Sequence, residues 1–201
     1  MFWDDPGEPV EPRYLALLRA ARHAIRAADR QGKVVMAGLF GFAWLTLDDL
    51  YRNRARGLFD AVAVNMFTRL PRDEVNALER VRAVMNHNGD RRVPLLLTEF
   101  SWPTAKGRYP GYAVSREQAA RNLRSTLGLA ARARRRLNLR HVFYFTWLTA
   151  DTGTHLFDYA GVRTVDLATM HVTAKPGQAA YRDAARRLEG CSKTRRADIC
   201  G

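Results

Sequence analysis

Val93-Pro94-Leu95-Leu96-Leu97-Thr98-Glu99-Phe100-Ser101-Trp102 is the stretch on which the reading of this chain turns. A short run that is apolar on both faces, set off upstream by the breaker Asn88-Gly89-Asp90, predicts a strand over 93–100 that is covered on both sides. Pro94 sits at the strand's entrance, where a missing ladder donor matters least. The strand then closes on a carboxylate. Burying an unpaired charge is costly, so Glu99 either meets one of the many arginines as a structural ion pair or is kept for chemistry.

Similar runs recur on both sides of this stretch. Lys33–Leu39, Phe59–Asn65 and His141–Trp147 read as three further buried strands. Helix-period segments separate them. Tyr14, Leu17, Leu18, Ala21, Ile25 and Ala28 mark a first helix entered through Pro12, and Leu47 to Ala55 a short second one stopped at Gly57. Val75, Leu78, Val81 and Met85 mark a third, Ser115 with Gln118 resembles a capping box opening a fourth to about Leu137, and Gly177 to Leu188 a fifth. An order α-βα-βα-βα-βα predicts an α/β fold with a parallel sheet under helical cover, over a single domain at 1–190. Both a small doubly wound sheet and half of a (β/α)8 barrel satisfy it. A Gly-rich phosphate loop would favour the former, but no Gly-x-Gly-x-x-Gly follows any strand, and periodicity alone does not separate the two.

Composition excludes several classes. With 47% hydrophobic residues in 201, the chain can bury one sizeable core, yet no apolar run approaches the ~20 residues needed to span a bilayer. The opening Met1-Phe2-Trp3-Asp4-Asp5-Pro6 has neither the basic start nor the apolar stretch of a signal peptide. The net charge of +13 suggests an anionic partner, but only four of the 33 basic residues are lysine and the arginines are spread over nearly every expected helix. The densest run, Arg132-Ala133-Arg134-Arg135-Arg136, closes a helix, where cations favour the negative end of the dipole. Solvated helix faces therefore explain the charge better than a nucleic acid does, and an anionic polymer remains open. Cys191 and Cys200 bound a terminal tail, 191–201, without a histidine nearby. They read as a small disulfide, which implies an extracellular or cell-surface protein, or else as free thiols; a zinc site is not expected. His155 has no second ligand at metal spacing and reads as a loop residue.

Chemistry in parallel α/β folds collects at the C-terminal strand ends. Here those ends supply Asn65-Met66-Phe67, then Glu99 with Trp102, then Trp147 with Asp151. Leu97-Thr98-Glu99-Phe100-Ser101-Trp102 resembles the Thr-Glu-Phe-Gly-Trp motif that closes strand seven of a large clan of retaining glycoside hydrolases with (β/α)8 barrels, including family 39-like and family 5-like bacterial enzymes. Leu58–Asn65 is similar to their strand six and His141–Trp147 to their strand eight. Leu156–Val162, with Lys175-Pro176, resembles their closing stretch. The resemblance covers almost the whole chain and implies the C-terminal half of a barrel, strands five to eight. It implies Glu99 as nucleophile, an oligo- or polysaccharide substrate, and no cofactor or metal. Trp147 and Trp102 would stack on sugar, and Asn65 and Asp151 would bind hydroxyls. Trp147 also reads as a core aromatic, and Asp151 as a turn residue before Thr152-Gly153.

The chain departs from that pattern in three places. Ser101 replaces a glycine, and Asn65-Met66-Phe67 stands where the family often has His-Pro-Tyr. The Asn-Glu-Pro motif that carries the acid/base is missing. Gly7-Glu8-Pro9 is preceded by no apolar strand, while Tyr14-Leu15-Ala16-Leu17-Leu18 fits the helix that follows the motif. A retaining glycosidase needs both carboxyls, ~5–5.5 Å apart. The sequence thus predicts a truncated hydrolase lacking its acid/base, or a non-catalytic carbohydrate-binding remnant; a basic flavodoxin-like domain is a third reading. Open sheet edges would also allow self-association.

Overall fold

The four apolar runs form one parallel sheet in chain order. The computed structural model describes residues 10–105 and 111–188. Strands β1 (Val35–Leu39), β2 (Ala61–Asn65), β3 (Leu95–Glu99) and β4 (Leu139–Val142) lie side by side as β1-β2-β3-β4. Helices α1 (Val10–Ala28), α2 (Ala43–Arg52), α3 (Pro71–His87), α4 (Arg116–Leu137) and α5 (Pro176–Leu188) alternate with them. α3 starts with Pro71 in its first turn and carries Asp73 and Glu74 there, as the helix dipole favours. Ser115 caps α4 as expected, its Oγ accepting from the Gln118 amide at 3.1 Å. The box is only half made, because the Gln118 side chain donates to Asn122 Oδ1 instead.

The strand order separates the two architectures. Each helix packs on the next, α1 on α2 through to α5 on α4. Right-handed crossovers that always step the same way put every helix on one face of the sheet. A doubly wound sheet reverses its order at a switch point; this one does not, so the flavodoxin-like reading falls and half of a (β/α)8 barrel stands. Met36, Val62, Val64, Leu95 and Leu97 face the helices and are fully buried. Register and alternation place Val35, Ala37, Ala63, Leu96 and His141 on the other face, where Val35 is 44% exposed and Leu96 half-buried.

Two expectations need correction. The fourth strand begins at Leu139 and ends at Val142, not over His141–Trp147. Asn138 closes α4 in the left-handed conformation (φ 48°) and hands the chain straight to β4, so the aromatic run 143–147 lies beyond the strand. A second sheet follows: β5 (Leu148–Thr149) parallel to β6 (Arg163–Val165), which is antiparallel to β7 (Val172–Ala174). The second helix also begins earlier than expected, at Ala43.

Beneath the strands, at their N-terminal ends, Arg82 is 5% exposed and gathers three carbonyls. It donates to Leu137 O at 2.8 Å, Val93 O at 2.9 Å and Asp90 O at 3.4 Å. Asp90 in turn accepts from the Tyr51 hydroxyl at 2.8 Å. This network ties α2 and α3 to the entrances of β3 and β4.

Candidate active site

Simple alternation would turn Glu99 the wrong way, since Leu95 and Leu97 on its side of β3 point under the helices. A bulge corrects it. Val64 pairs with Leu97, but the next residue, Asn65, pairs with Glu99, leaving Thr98 as the extra residue. Thr98 Oγ1 lies 3.1 Å from Val64 O and 2.7 Å from Asn65 Oδ1, and the Met66 amide donates to Glu99 O at 2.8 Å. Gly38 completes the arrangement. A Cβ there would come within 2.6 Å of Asn65 Oδ1, so only glycine lets the Asn65 side chain lie across β1.

Glu99 and Asn65 consequently open into one cleft of about 780 Å³, with Phe40, Phe42, Trp44, Met66, Phe67 and Phe157 on its apolar side. Such a volume suits a small-molecule site. Desolvation pushes the Glu99 carboxyl above the ordinary glutamate range. No hydrogen bond or ion pair reaches it from the described residues, so the expectation of a structural arginine partner is not met.

The other expected site residues are not brought to this cleft. Trp102 is corrected outright: it is 1% exposed, packs edge-on to Phe100 at 6.0 Å, and has no free face for a sugar. Trp147 is 53% exposed under the Arg163 guanidinium, 5.9 Å from its ring centre, but does not line the cleft. Asp151 is occupied elsewhere. With φ 56°, it accepts from Lys175 Nζ at 2.7 Å, Arg116 at 3.2 Å and Thr149 Oγ1 at 2.8 Å, which favours its turn reading over hydroxyl binding. His155 caps a short 3₁₀ turn over Leu156–Tyr159, its Nδ1 accepting from the Phe157 amide. No metal-binding group of His, Cys, Asp and Glu occurs among the described residues. Glu8, Cys191 and Cys200 lie outside them.

The residues missed from sequence are Phe40-Gly41-Phe42-Ala43-Trp44, at the C-terminal end of β1. Three aromatics packed around a glycine directly after an apolar strand were the available signal. Across from them, α3 presents Asp73, Asn76, Ala77 and Arg80 to the cleft at helical spacing.

This half-barrel is similar in structure to known glycosidases. A glucosidase from Croceicoccus marinus superposes with a TM-score of 0.62 at 17% identity, over 89% of this chain and 36% of that one. A β-glucosidase from Thermotoga maritima in complex with deoxynojirimycin gives 0.62 at 15% identity, over 88% of this chain and 56% of that one. A family 1 β-glucosidase from the same organism, with isofagomine lactam, gives 0.61 at 15%. This chain therefore spans less than two thirds of the enzymes it matches, and at such identities the likeness is one of fold. No family model matches the sequence, and neither does any curated protein. The fold defined is a partial (β/α)8 barrel similar to part of the barrel of these glycosidases.

Proposed function

We propose that the chain is the nucleophile-bearing half of a retaining O-glycosyl hydrolase, with Glu99 as the nucleophile. The observation that carries this reading is the bulge at Thr98, which turns a carboxylate at a barrel-strand end out of the helix layer and into a cleft beside Asn65. The Thr98-Glu99-Phe100 motif and the glycosidase-type fold support it. A strand-seven position of the family 39-like or family 5-like kind follows from the same motif. In the first step a Glu99 oxygen attacks the anomeric carbon, and the electron pair of the broken C–O bond leaves on the aglycone oxygen. Asn65 Nδ2 is placed to donate to a sugar hydroxyl while its Oδ1 holds Thr98.

An ordinary leaving oxygen needs a proton, and no asparagine-glutamate pair at a strand end supplies one among the described residues. The sugar substrate would be an oligo- or polysaccharide, and export would follow if Cys191 and Cys200 form a disulfide. The remnant reading is favoured by one observation: no cation or hydrogen-bond donor among the described residues reaches the Glu99 carboxylate.

A reagent with an activated leaving group separates the two. Dinitrophenolate departs unprotonated, so a 2,4-dinitrophenyl 2-deoxy-2-fluoro-β-glucoside reacts without acid assistance. Peptide mapping is expected to find the fluoroglucosyl ester on Glu99, and Glu99→Gln to abolish it. Label on another residue overturns the nucleophile; sugar binding without any label supports the remnant.

A further inference from the structure

The cleft reaches well beyond Glu99. Phe42 is 69% exposed and Phe40 58%, just beyond the end of β1. Gly41 between them takes φ +61°, a left-handed conformation that favours glycine, and both rings line the cleft. The half-buried Trp44 is fixed edge-on by Phe42 at 5.4 Å and covered by the Arg80 guanidinium at 4.8 Å. One wall is thus aromatic. The facing wall is polar: Asp73, Asn76 and Arg80 occupy one stripe of α3.

An apolar ligand would cover that polar stripe without offering it hydrogen bonds, and a charged one would leave the rings wet. A pyranose matches both walls, because its C–H face packs on rings while its equatorial hydroxyls point sideways to hydrogen-bonding groups. The geometry points to a second sugar subsite, formed by the exposed rings of Phe40 and Phe42 against Asp73 and Asn76, with Trp44 under Arg80 closing its end. The ligand is then a neutral oligosaccharide that runs from Glu99 outward between the β1–α2 loop and α3, not a single sugar on a small aglycone. Placing the reacting unit at Glu99 rests on the glycosidase reading; the subsite itself does not.

Calorimetric titration of the full chain with cellobiose through cellohexaose, and with laminari-oligosaccharides in parallel, tests it. Affinity is expected to rise with chain length in at least one series. Phe42→Ala, an exposed position, is expected to cut binding of the longest member about tenfold or more, the worth of one covered aromatic face. Trp44→Phe keeps the packing and is expected to weaken it less, while Phe143→Ala, outside the cleft, binds as the parent does. Length-independent binding, no binding in either series, or a Phe42→Ala chain equal to the parent overturns the subsite. So does an octyl or phenyl glycoside binding where the oligosaccharides do not. The outcome is separable from the labelling of Glu99. Labelled Glu99 with length-independent binding removes only the subsite, and unlabelled Glu99 with a Phe42-dependent rise removes only the catalytic reading.

Discussion

Lys175 Nζ lies 2.7 Å from Asp151 Oδ1, and the lysine side chain is 2% exposed. Its other protons go to Thr104 Oγ1 at 3.1 Å and Tyr159 O at 3.3 Å, so one buried cation joins the β3 exit loop, the β5 exit and the 3₁₀ turn to the start of α5. Burial lowers the lysine pKa, and Asp151 partly restores it. Removing one partner strands the other. Asp151→Ala is expected to cost about 3–5 kcal/mol of unfolding free energy. Asp151→Ala combined with Lys175→Met should recover part of that loss. Denaturant unfolding of both variants checks this; equal losses would show that the pair is not coupled.

Gly38→Ala tests the seat of Asn65. The added methyl meets Asn65 Oδ1 at 2.6 Å, so the amide must swing away from Thr98. A loss of about 1–3 kcal/mol is expected in thermal or denaturant unfolding, together with slower fluoro-sugar labelling of Glu99. Thr98→Val removes the hydroxyl held by Asn65 Oδ1 and should slow labelling by the same route. Unchanged labelling in both variants would separate the bulge from the reactivity of Glu99.

Glu74 makes stability depend on pH. It is fully buried, Oε1 accepts from the Thr68 amide at 3.3 Å, and Oε2 has no partner among the described residues. Burial holds its carboxyl protonated up to about pH 8, against an ordinary value of 4.5. The folded chain therefore binds the extra proton between those values, and stability present below pH 4.5 is lost as pH climbs towards 8. Glu74→Gln, neutral throughout, should be the more stable form near pH 8 by about a few kcal/mol and lose that advantage near pH 4. Denaturant midpoints across this range are the measurement, and parallel curves would refute the assignment.

Glu99 should titrate late. Desolvation raises its pKa, so attack on the fluoro-sugar is expected to accelerate with pH through a midpoint above the ordinary glutamate value of 4.5. The pH dependence of the labelling rate gives that midpoint directly. A midpoint at or below 4.5 would mean that a cation reaches the carboxylate in solution.

How much of this was legible beforehand depended on the length of each pattern. β2 and β3 were readable because Ala61–Asn65 and Leu95–Glu99 are short apolar runs that close on polar residues. β4 was misplaced because Phe143-Tyr144-Phe145 is more apolar than Leu139–Val142, although only the latter is held in the ladder to β3. Strands of two or three residues such as β5 and β7 are too short to have a period. Glu99 was singled out from its position at a strand end, but the reason it faces the cleft was not legible, because a bulge depends on register against β2 and leaves no mark in the order of residues. Trp102 misled by proximity: three residues from Glu99 in sequence, its ring belongs to the core. Periodicity left half of a barrel and a doubly wound sheet both open; the strand-end motifs pointed to the barrel, and the strand order bears that out.

Arg82 and the bulge at Thr98 stand at opposite ends of the same strands and have no side-chain partner in common. Changes among Phe40, Phe42, Asn76 and Arg80 can therefore accumulate without loosening the clamp on Leu137, Val93 and Asp90. The lower rim is a fixed chassis, and the upper rim is free to vary. In a mutational scan, tolerance should change abruptly along each strand: abundance fails first at the entrances, and selectivity shifts first at the exits.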